Sequence, residues 1–212
     1  ASSFHVLFPA DDERPLLACA GMMIREGVQF HWENRPPTAT GEGTIGAIGP
    51  VPDNGHTAWR DFDAFLASLN SEKRKKIRQE RRRAAAHGLE LRWLDGHDAR
   101  PEHWDFLGRC YATTYALHRS TPYLSPEFFH RLGERMPDDV RLLLACRQGE
   151  PIAAAFFLCD AKALYGRYWG AIENLPFLHF ELCYYQAIAY CIDQGLERFE
   201  GGAQGEHKLA RG

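Results

Sequence analysis

The sequence predicts an α+β fold in which helices flank a mostly antiparallel sheet. The strongest signal is three apolar segments separated by short turns, which predict an antiparallel meander over 140–146, 152–159 and 163–170. Apolar residues at helical spacing precede the meander. After it, residues 176–192 are apolar around most of a helix circumference. A helix of that kind is buried, so we expect it to pack on the sheet.

The first 35 residues predict a small β-α-β unit. Strands are expected over 3–8 and 28–32, with a helix between them that begins after Asp11 or Asp12. The apolar face of this helix consists of Leu16, Leu17, Ala20 and Met23. A unit this short cannot fold alone, so we expect it to dock on the rest of the chain.

Residues 36–58 differ in composition from the segments on either side. They contain four prolines and five glycines and few residues that pack. We therefore predict a linker or mobile loop, which separates residues 1–35 from residues 59–212.

Between this linker and the meander, the sequence predicts helices and one strand. Residues 59–87 predict two helices, because Asn70 and Ser71 provide a break and a new N-cap. A strand over 89–94 and a helix over 102–117 follow. The next helix is expected to start at Pro126, with Phe128, Phe129 and Leu132 facing inward. After the meander and the buried helix, a last strand is expected over 196–200.

Composition excludes several classes of protein. No apolar run reaches the roughly 18–20 residues that span a bilayer, and the N-terminus does not resemble a signal peptide. The six cysteines show neither CxxC nor zinc-site spacing and lie in apolar segments, which predicts buried reduced thiols in a cytoplasmic protein. The absence of a G-x-S-x-G motif disfavours a serine hydrolase.

Charge is concentrated in one window. Residues 73–83 contain eight basic residues and one acid, although the whole chain has a net charge of −3. Arg74, Arg78, Arg81 and Arg82 share one helix face by their spacing. Such a face predicts phosphate binding by charge and by bidentate hydrogen bonds. The alternative is a solvated helix with no ligand.

Three motifs carry a resemblance to a known family. They are Leu-Tyr-Gly-Arg-Tyr-Trp-Gly at 164–170, His-Phe-Glu-Leu-Cys-Tyr-Tyr-Gln at 179–186 and Phe-Glu-Gly-Gly-Ala-Gln-Gly-Glu-His-Lys at 199–208. Together with the segments 2–8 and 29–32, they resemble the FemAB-like predicted N-acyltransferases. That family belongs to the GNAT superfamily and is related to the peptidoglycan aminoacyltransferases. The resemblance covers most of residues 2–35 and 60–212.

The resemblance implies a fold and an activity. It implies a GNAT-like sheet in the remnant of a tandem two-lobe arrangement. Residues 1–35 would be the terminal β-α-β of a first lobe, and 59–212 a second lobe that is truncated C-terminally. The implied activity is acyl or aminoacyl transfer to an amine, with a cell-wall precursor as acceptor. The alternative is a non-catalytic lobe that recognises a polyanionic or peptidoglycan-type ligand.

The same resemblance implies site residues. Acyl transfer to an amine needs a base and donors that stabilise the oxyanion. We expect Glu200 as the base or amine ligand, His207 as the second candidate, and Lys208 as a contact to substrate phosphate or the transition state. Further substrate contacts are expected from Tyr165, Arg167, Trp169, His179, Glu206 and Arg211, the first three on one face of a strand. Alternatively, Glu200 forms a salt bridge with Arg198 or Arg167, and His207 is an exposed tail residue.

The acyl donor and other partners are less constrained. Residues 170–176 contain one glycine where ordinary GNAT enzymes carry a glycine-rich loop for CoA, which shifts the expected donor from acyl-CoA toward aminoacyl-tRNA. The resemblance implies a tRNA backbone or a nucleotide-sugar pyrophosphate as the partner of the basic residues 73–83. No tightly bound cofactor is expected. No metal site is expected either, because His179, Glu181 and His207 lack compact ligand spacing. Apolar surface left by a truncated lobe predicts a homo-oligomer.

Overall fold

The computed structural model describes residue 12 and residues 14–23, 31–35 and 58–202. The helices are α1 (Arg14–Cys19), α2 (Phe62–Ser68), α3 (Ser71–Ala85), α4 (Pro101–Leu117), α5 (Pro126–Arg135), α6 (Leu178–Phe180) and α7 (Gln186–Asp193). The strands are β1 (His31–Glu33), β2 (Glu90–Asp95), β3 (Val140–Arg147), β4 (Glu150–Cys159), β5 (Ala163–Ala171) and β6 (Arg198–Glu200). Across these ranges, no helix combines the length and apolarity that a membrane crossing requires.

The six strands form one sheet in the order β1-β6-β5-β4-β3-β2. Every neighbouring pair is antiparallel except β5 and β6, which run parallel. The predicted α+β fold, with a mostly antiparallel sheet and flanking helices, is confirmed. The strands β3, β4 and β5 are joined by short turns and form the predicted meander. They occupy neighbouring positions inside the sheet, with β6 and β2 on either side.

Helices cover both faces of the sheet, and side-chain alternation along β3 and β4 sends residues to each. One face, which we call the α3 face, carries a core that includes Leu143, Phe157 and Phe199 with residues of α2, α3 and α7. The opposite α4 face carries a second core that includes Leu142 and Phe156 with residues of α4 and α5. Side chains of one strand that enter different cores lie on opposite faces of the sheet. Only side chains on the same face can therefore contact one another.

The predicted break between α2 and α3 is confirmed by its capping bonds. The Asp61 carboxylate accepts the Ala64 N–H at 2.7 Å, which caps α2. The Asn70 side chain accepts the Lys73 N–H at 2.8 Å, which caps α3. α2 ends at its C-cap Leu69, and Asn70, the next residue, is the N-cap of α3, so the break falls just before the basic residues.

Two helical predictions need correction. The buried helix begins at Leu178 instead of Pro176, because Phe177 adopts a left-handed backbone with φ of 67°. It is also interrupted by a π-helical segment, Glu181–Tyr185, before α7. In α5, Phe128 was expected to face inward but is 37% exposed, whereas Phe129 is fully buried. Of these two phenylalanines, only Phe129 lies on the side of α5 that packs against α4.

The N-terminal segments dock on the sheet through β1. The strand predicted over 3–8, and residues 36–57 of the predicted linker, lie outside the described residues. In the described part, α1 buries none of its residues, so its predicted apolar face is not packed.

The buried Asn34 side chain donates to the Cys191 and Leu196 carbonyls and accepts the Trp59 N–H. This amide fixes β1 beside β6.

The six cysteines are all free thiols. Four are buried as predicted, but Cys19 is exposed because α1 is not packed, and Cys183 is partly exposed. Burial raises the pKa of the Cys110 thiol to about 12. That thiol is therefore protonated and unreactive at neutral pH.

His103 makes the stability of α4 depend on pH. Its Nδ1 accepts the Arg100 N–H at 3.0 Å, and the residue is buried. Burial, followed by the charge of Arg100, lowers the pKa of His103. The unfolded chain takes up a proton near pH 6.5, where the folded imidazole stays neutral. The stability from neutral His103 is therefore complete above that pH and is lost as the pH falls toward the folded pKa.

We expect the stability advantage of the wild type over His103→Gln to shrink between pH 8 and pH 5. Glutamine can still accept the capping bond but does not titrate. Urea unfolding at several pH values measures this. His97→Gln is the control with the opposite sign, because the bond to Asp138 raises the pKa of His97. A difference between wild type and His103→Gln that does not vary with pH would contradict the assignment.

Candidate functional site

The parallel strands β5 and β6 pair over only three residues. Their pairing stops at Tyr165 opposite Glu200, while β5 continues to Ala171. The chain leaves β6 through Gly201 and Gly202. Because the two strands run in the same direction, their carboxyl ends lie at the same edge of the sheet. Glu200 is the last residue of β6 that pairs with β5, and we call the end of this pairing the strand edge.

Glu200 lies between two basic groups. Its Oε2 is 3.8 Å from Nδ1 of His31, and its Oε1 is 3.8 Å from Nη1 of Arg167. Its side chain is 15% exposed, so it is shielded but still reached by solvent. His31 lies directly opposite Glu200 in the β1–β6 register. The ion pair with Arg167 that we gave as the alternative role of Glu200 is therefore present at the strand edge.

Tyr165 extends this group of side chains along β5. Its hydroxyl donates to Oδ2 of Asp160 at 2.7 Å. Burial, followed by that hydrogen bond, raises the pKa of Tyr165, so the phenol stays protonated. The Arg167 guanidinium lies 5.2 Å from the Tyr165 ring centre. We call Glu200, His31, Tyr165 and Arg167 the edge cluster.

The prediction that Tyr165, Arg167 and Trp169 share one strand face is wrong. The β4–β5 register shifts, so that Phe156 pairs with Tyr168 but Phe157 pairs with Gly166. The shift leaves Arg167 as an extra residue, a β-bulge, and alternation is reversed across it. Tyr165 consequently lies opposite Leu158 on the α4 face, whereas Trp169 packs into the α3-face core.

Trp169 and His179 form a separate aromatic group. Their ring centroids are 4.9 Å apart, and the His179 ring is also 5.8 Å from that of Tyr184. Since Trp169 and Tyr184 belong to the α3-face core, His179 is placed across the sheet from the Glu200 side chain. The structure therefore divides the predicted substrate contacts between two faces.

A concave site lies along α3. It has a volume of about 760 Å³. All four predicted arginines line this site: Arg74, Arg78, Arg81 and Arg82. Lys75 also lines it, although the prediction did not include it. Lys75 is seven residues before Arg82, so helical spacing was sufficient to find it. We call this site the basic groove.

The arginines of the basic groove differ in their partners. Arg81 binds Glu181 through contacts of 3.1 to 3.3 Å, and Glu181 also accepts Gln186 Nε2 at 2.8 Å. Arg78 lies 3.5 Å from Asp63. Arg81 is thus held in the protein by a nearly buried carboxylate. Its pairing with Glu181 joins α3 to the π-helical segment.

Buried contacts also hold α3 against the sheet. Ile77 is fully buried, and the Glu80 carboxylate accepts a hydrogen bond from the Tyr185 hydroxyl. These residues lie on the side of α3 that faces the π-helical segment and α7. The basic residues lie on the adjoining side of α3, and the groove there is also lined by Glu181 and Gln186.

Four predicted residues cannot be placed in either site. Glu206, His207, Lys208 and Arg211 lie outside the described residues.

Within the described ranges, no group of three or more His, Cys, Asp or Glu side chains is arranged to hold a metal ion. The stretch 170–176 is described, and its acidic residue Glu173 pairs with Arg147 at 2.6 Å.

Comparison with known protein families gives a match over three quarters of the chain. The family model FemAB-like, described as peptidoglycan biosynthesis/recognition, matches residues 54–212. A search of curated protein sequences gives no significant match.

Several solved structures are similar to this chain. A C-terminal domain assigned to lysylphosphatidylglycerol synthetase from Agrobacterium fabrum has a TM-score of 0.48 and 14% identity, covering 65% of this chain and 44% of its own. L-PGS from Bacillus licheniformis has a TM-score of 0.47 and 12% identity, covering 68% and 46%. An aminoglycoside N-acetyltransferase in complex with CoA has a TM-score of 0.39 and 14% identity, covering 58% and 82%. The chain thus spans about half the length of the first two.

Proposed function

Because the chain belongs to the FemAB-like family, we propose that it transfers an acyl or aminoacyl group to an amine, with a cell-wall precursor as acceptor. The observation that carries this proposal is the position of Glu200. A carboxylate that is shielded but still reached by solvent, at the end of the parallel β5–β6 pair, suits a general base.

The proposed reaction is a substitution at a carbonyl carbon. The acceptor amine nitrogen attacks that carbon, and Glu200 takes the proton that the amine loses. The bond to the donor oxygen or sulfur then breaks, and the leaving group takes up a proton. In this proposal Arg167, 3.8 Å from Glu200, stabilises the negative charge on the carbonyl oxygen.

His31 has a positioning role in this proposal. It faces Glu200 across the β1–β6 pair at 3.8 Å, so it restrains the carboxylate from the side opposite Arg167. Lys208, by the family resemblance, contacts substrate phosphate or the transition state. The donor is aminoacyl-tRNA or acyl-CoA, and the single glycine of 170–176 favours the former.

A transfer assay tests the proposal. The purified chain is incubated with acetyl-CoA or aminoacyl-tRNA and a UDP-linked peptide precursor, and the product is detected by mass spectrometry. We expect product with one donor. Lys208→Ala is expected to reduce product formation by about tenfold or more, because it removes the ammonium that we propose contacts substrate phosphate or the transition state. Lys162→Ala, whose side chain pairs with the exposed Glu197, is the matched control.

Calorimetric titration of the same precursor separates the two candidate functions. Binding of the precursor with no product from any donor would support the non-catalytic lobe and reject transfer. Product formation by wild type and by Lys162→Ala supports transfer.

A further inference from the structure

The basic groove combines cations with an aliphatic surface. Beside its basic residues, it is lined by apolar side chains from α2, the end of α3, β2 and α6: Leu66, Ala84, Ala85, Leu89, Leu91 and Leu178. Its volume of about 760 Å³ is within the range of small-molecule sites. A surface that binds by charge alone does not need an aliphatic lining. We therefore expect a ligand that has both an anionic part and an apolar part.

Two of the groove cations, Lys75 and Arg82, have no side-chain hydrogen bond or ion pair within the described residues, whereas Arg74 donates to the Ala67 carbonyl at 3.2 Å. Among the described residues, Arg74, Lys75 and Arg82 form no ion pair with a carboxylate, in contrast to Arg78 and Arg81. Lys75 and Arg82 are exposed and lie two helical turns apart. Cations in this arrangement attract an anion, and arginine in particular binds phosphate through paired N–H donors.

The apolar part of the groove suits an alkyl chain better than a nucleobase. RNA-binding surfaces stack bases on open aromatic rings. Among the described lining residues, Phe62 is the one aromatic side chain, and the Arg81 guanidinium lies 4.5 Å over its ring. Arg81 is itself fixed by Glu181, so this ring is already occupied. The remaining apolar lining is aliphatic.

We propose that the basic groove binds the phosphate-bearing end of a lipid. The phosphate lies against Lys75 and Arg82, and the alkyl chain runs along Leu89 and Leu91. This proposal does not rest on the transfer activity. Phe199 and the groove residue Leu178 belong to the α3-face core, so Glu200, the next residue along β6, points to the opposite face.

Calorimetry with octyl phosphate, butyl phosphate and inorganic phosphate tests both parts of the site. Each buried methylene strengthens binding by up to roughly fourfold. Octyl phosphate is therefore expected to bind at least about tenfold more tightly than butyl phosphate, and inorganic phosphate most weakly. Leu91→Thr is expected to reduce the octyl-to-butyl ratio by about threefold or more while leaving inorganic phosphate binding unchanged.

The helix supplies a matched pair of charge variants. Lys75→Gln/Arg82→Gln removes a lysine and an arginine that line the groove. Lys76→Gln/Arg83→Gln removes the same two residue types, also exposed, one position further along and outside the groove. The first variant is expected to weaken octyl phosphate binding by about tenfold or more, and the second by less than about twofold. Thermal unfolding of both variants checks that each is folded.

Three results would overturn the proposal. The first is equal affinity for octyl and inorganic phosphate, which would remove the role of the apolar lining. The second is an equal loss in the two double variants, which would indicate general electrostatic attraction. The third is tighter binding of a single-stranded RNA 12-mer than of octyl phosphate, with sensitivity to Lys75→Gln/Arg82→Gln, which would make the groove an RNA site.

Discussion

Replacing Glu200 with glutamine is expected to lower the kcat of acyl transfer by about 10²–10⁴-fold, the range that general base catalysis contributes. Glutamine has nearly the same shape as glutamate but cannot accept the proton of the amine. The two ion-pair contacts of Glu200 are both 3.8 Å long, so their loss should affect stability little. Steady-state kinetics and urea unfolding of the same preparation measure the two effects separately.

Glu197→Gln is the control for this substitution. Glu197 precedes β6 by one residue, its side chain is 64% exposed, and it pairs with Lys162 at 3.2 Å. It should keep wild-type kcat. If Glu200→Gln unfolds at lower urea but retains kcat within about threefold, Glu200 is a structural partner of Arg167 and the base is another group. That outcome would reject the proposed mechanism without rejecting the family assignment.

Gly170→Ala is expected to destabilise the fold by about 2–3 kcal/mol, the upper part of the range for inserting a methyl group where there is no space. A Cβ at this position would lie 2.3 Å from the Cys110 carbonyl oxygen and 2.6 Å from its carbon. It would also lie 2.8 Å from the Thr114 hydroxyl, which donates to the Trp169 carbonyl at 2.9 Å. Backbone atoms of α4 cannot rotate away, so α4 and β5 must separate.

Gly166→Ala provides the matched comparison on the same strand. The nearest atom to its added Cβ would be the Glu200 carbonyl oxygen at 3.6 Å, an ordinary contact. We expect a change in the free energy of unfolding of less than about 1 kcal/mol for this variant. Equal urea midpoints for the two variants would contradict the close packing of α4 on β5.

The elements that sequence analysis placed correctly are those with local signals. The meander has its turns in sequence, and the α2–α3 break is specified by the short capping contact of Asn70 to Lys73. The basic face of α3 follows from helical spacing alone. Each of these depends on residues within a few positions of one another.

The features that sequence analysis missed depend on distant partners. The bulge at Arg167 is defined by how β5 pairs with β4, and no residue type near it requires one. His31 and Glu200 are joined by strand pairing across most of the chain, although both lie in motifs that carried the family resemblance. Likewise, the Arg81–Glu181 pair connects residues 100 positions apart. Tertiary pairing of this kind cannot be derived from local spacing.

The way in which Asn34 fastens β1 has a consequence for assembly. β1 is only three residues long, yet it is the strand that covers the outer side of β6. Were the Asn34 amide lost, β6 would present unpaired N–H and C=O groups, which a β6 strand from another copy of the chain could pair with. One buried side chain thus limits strand exchange between copies of the chain at the same edge that holds the proposed catalytic carboxylate.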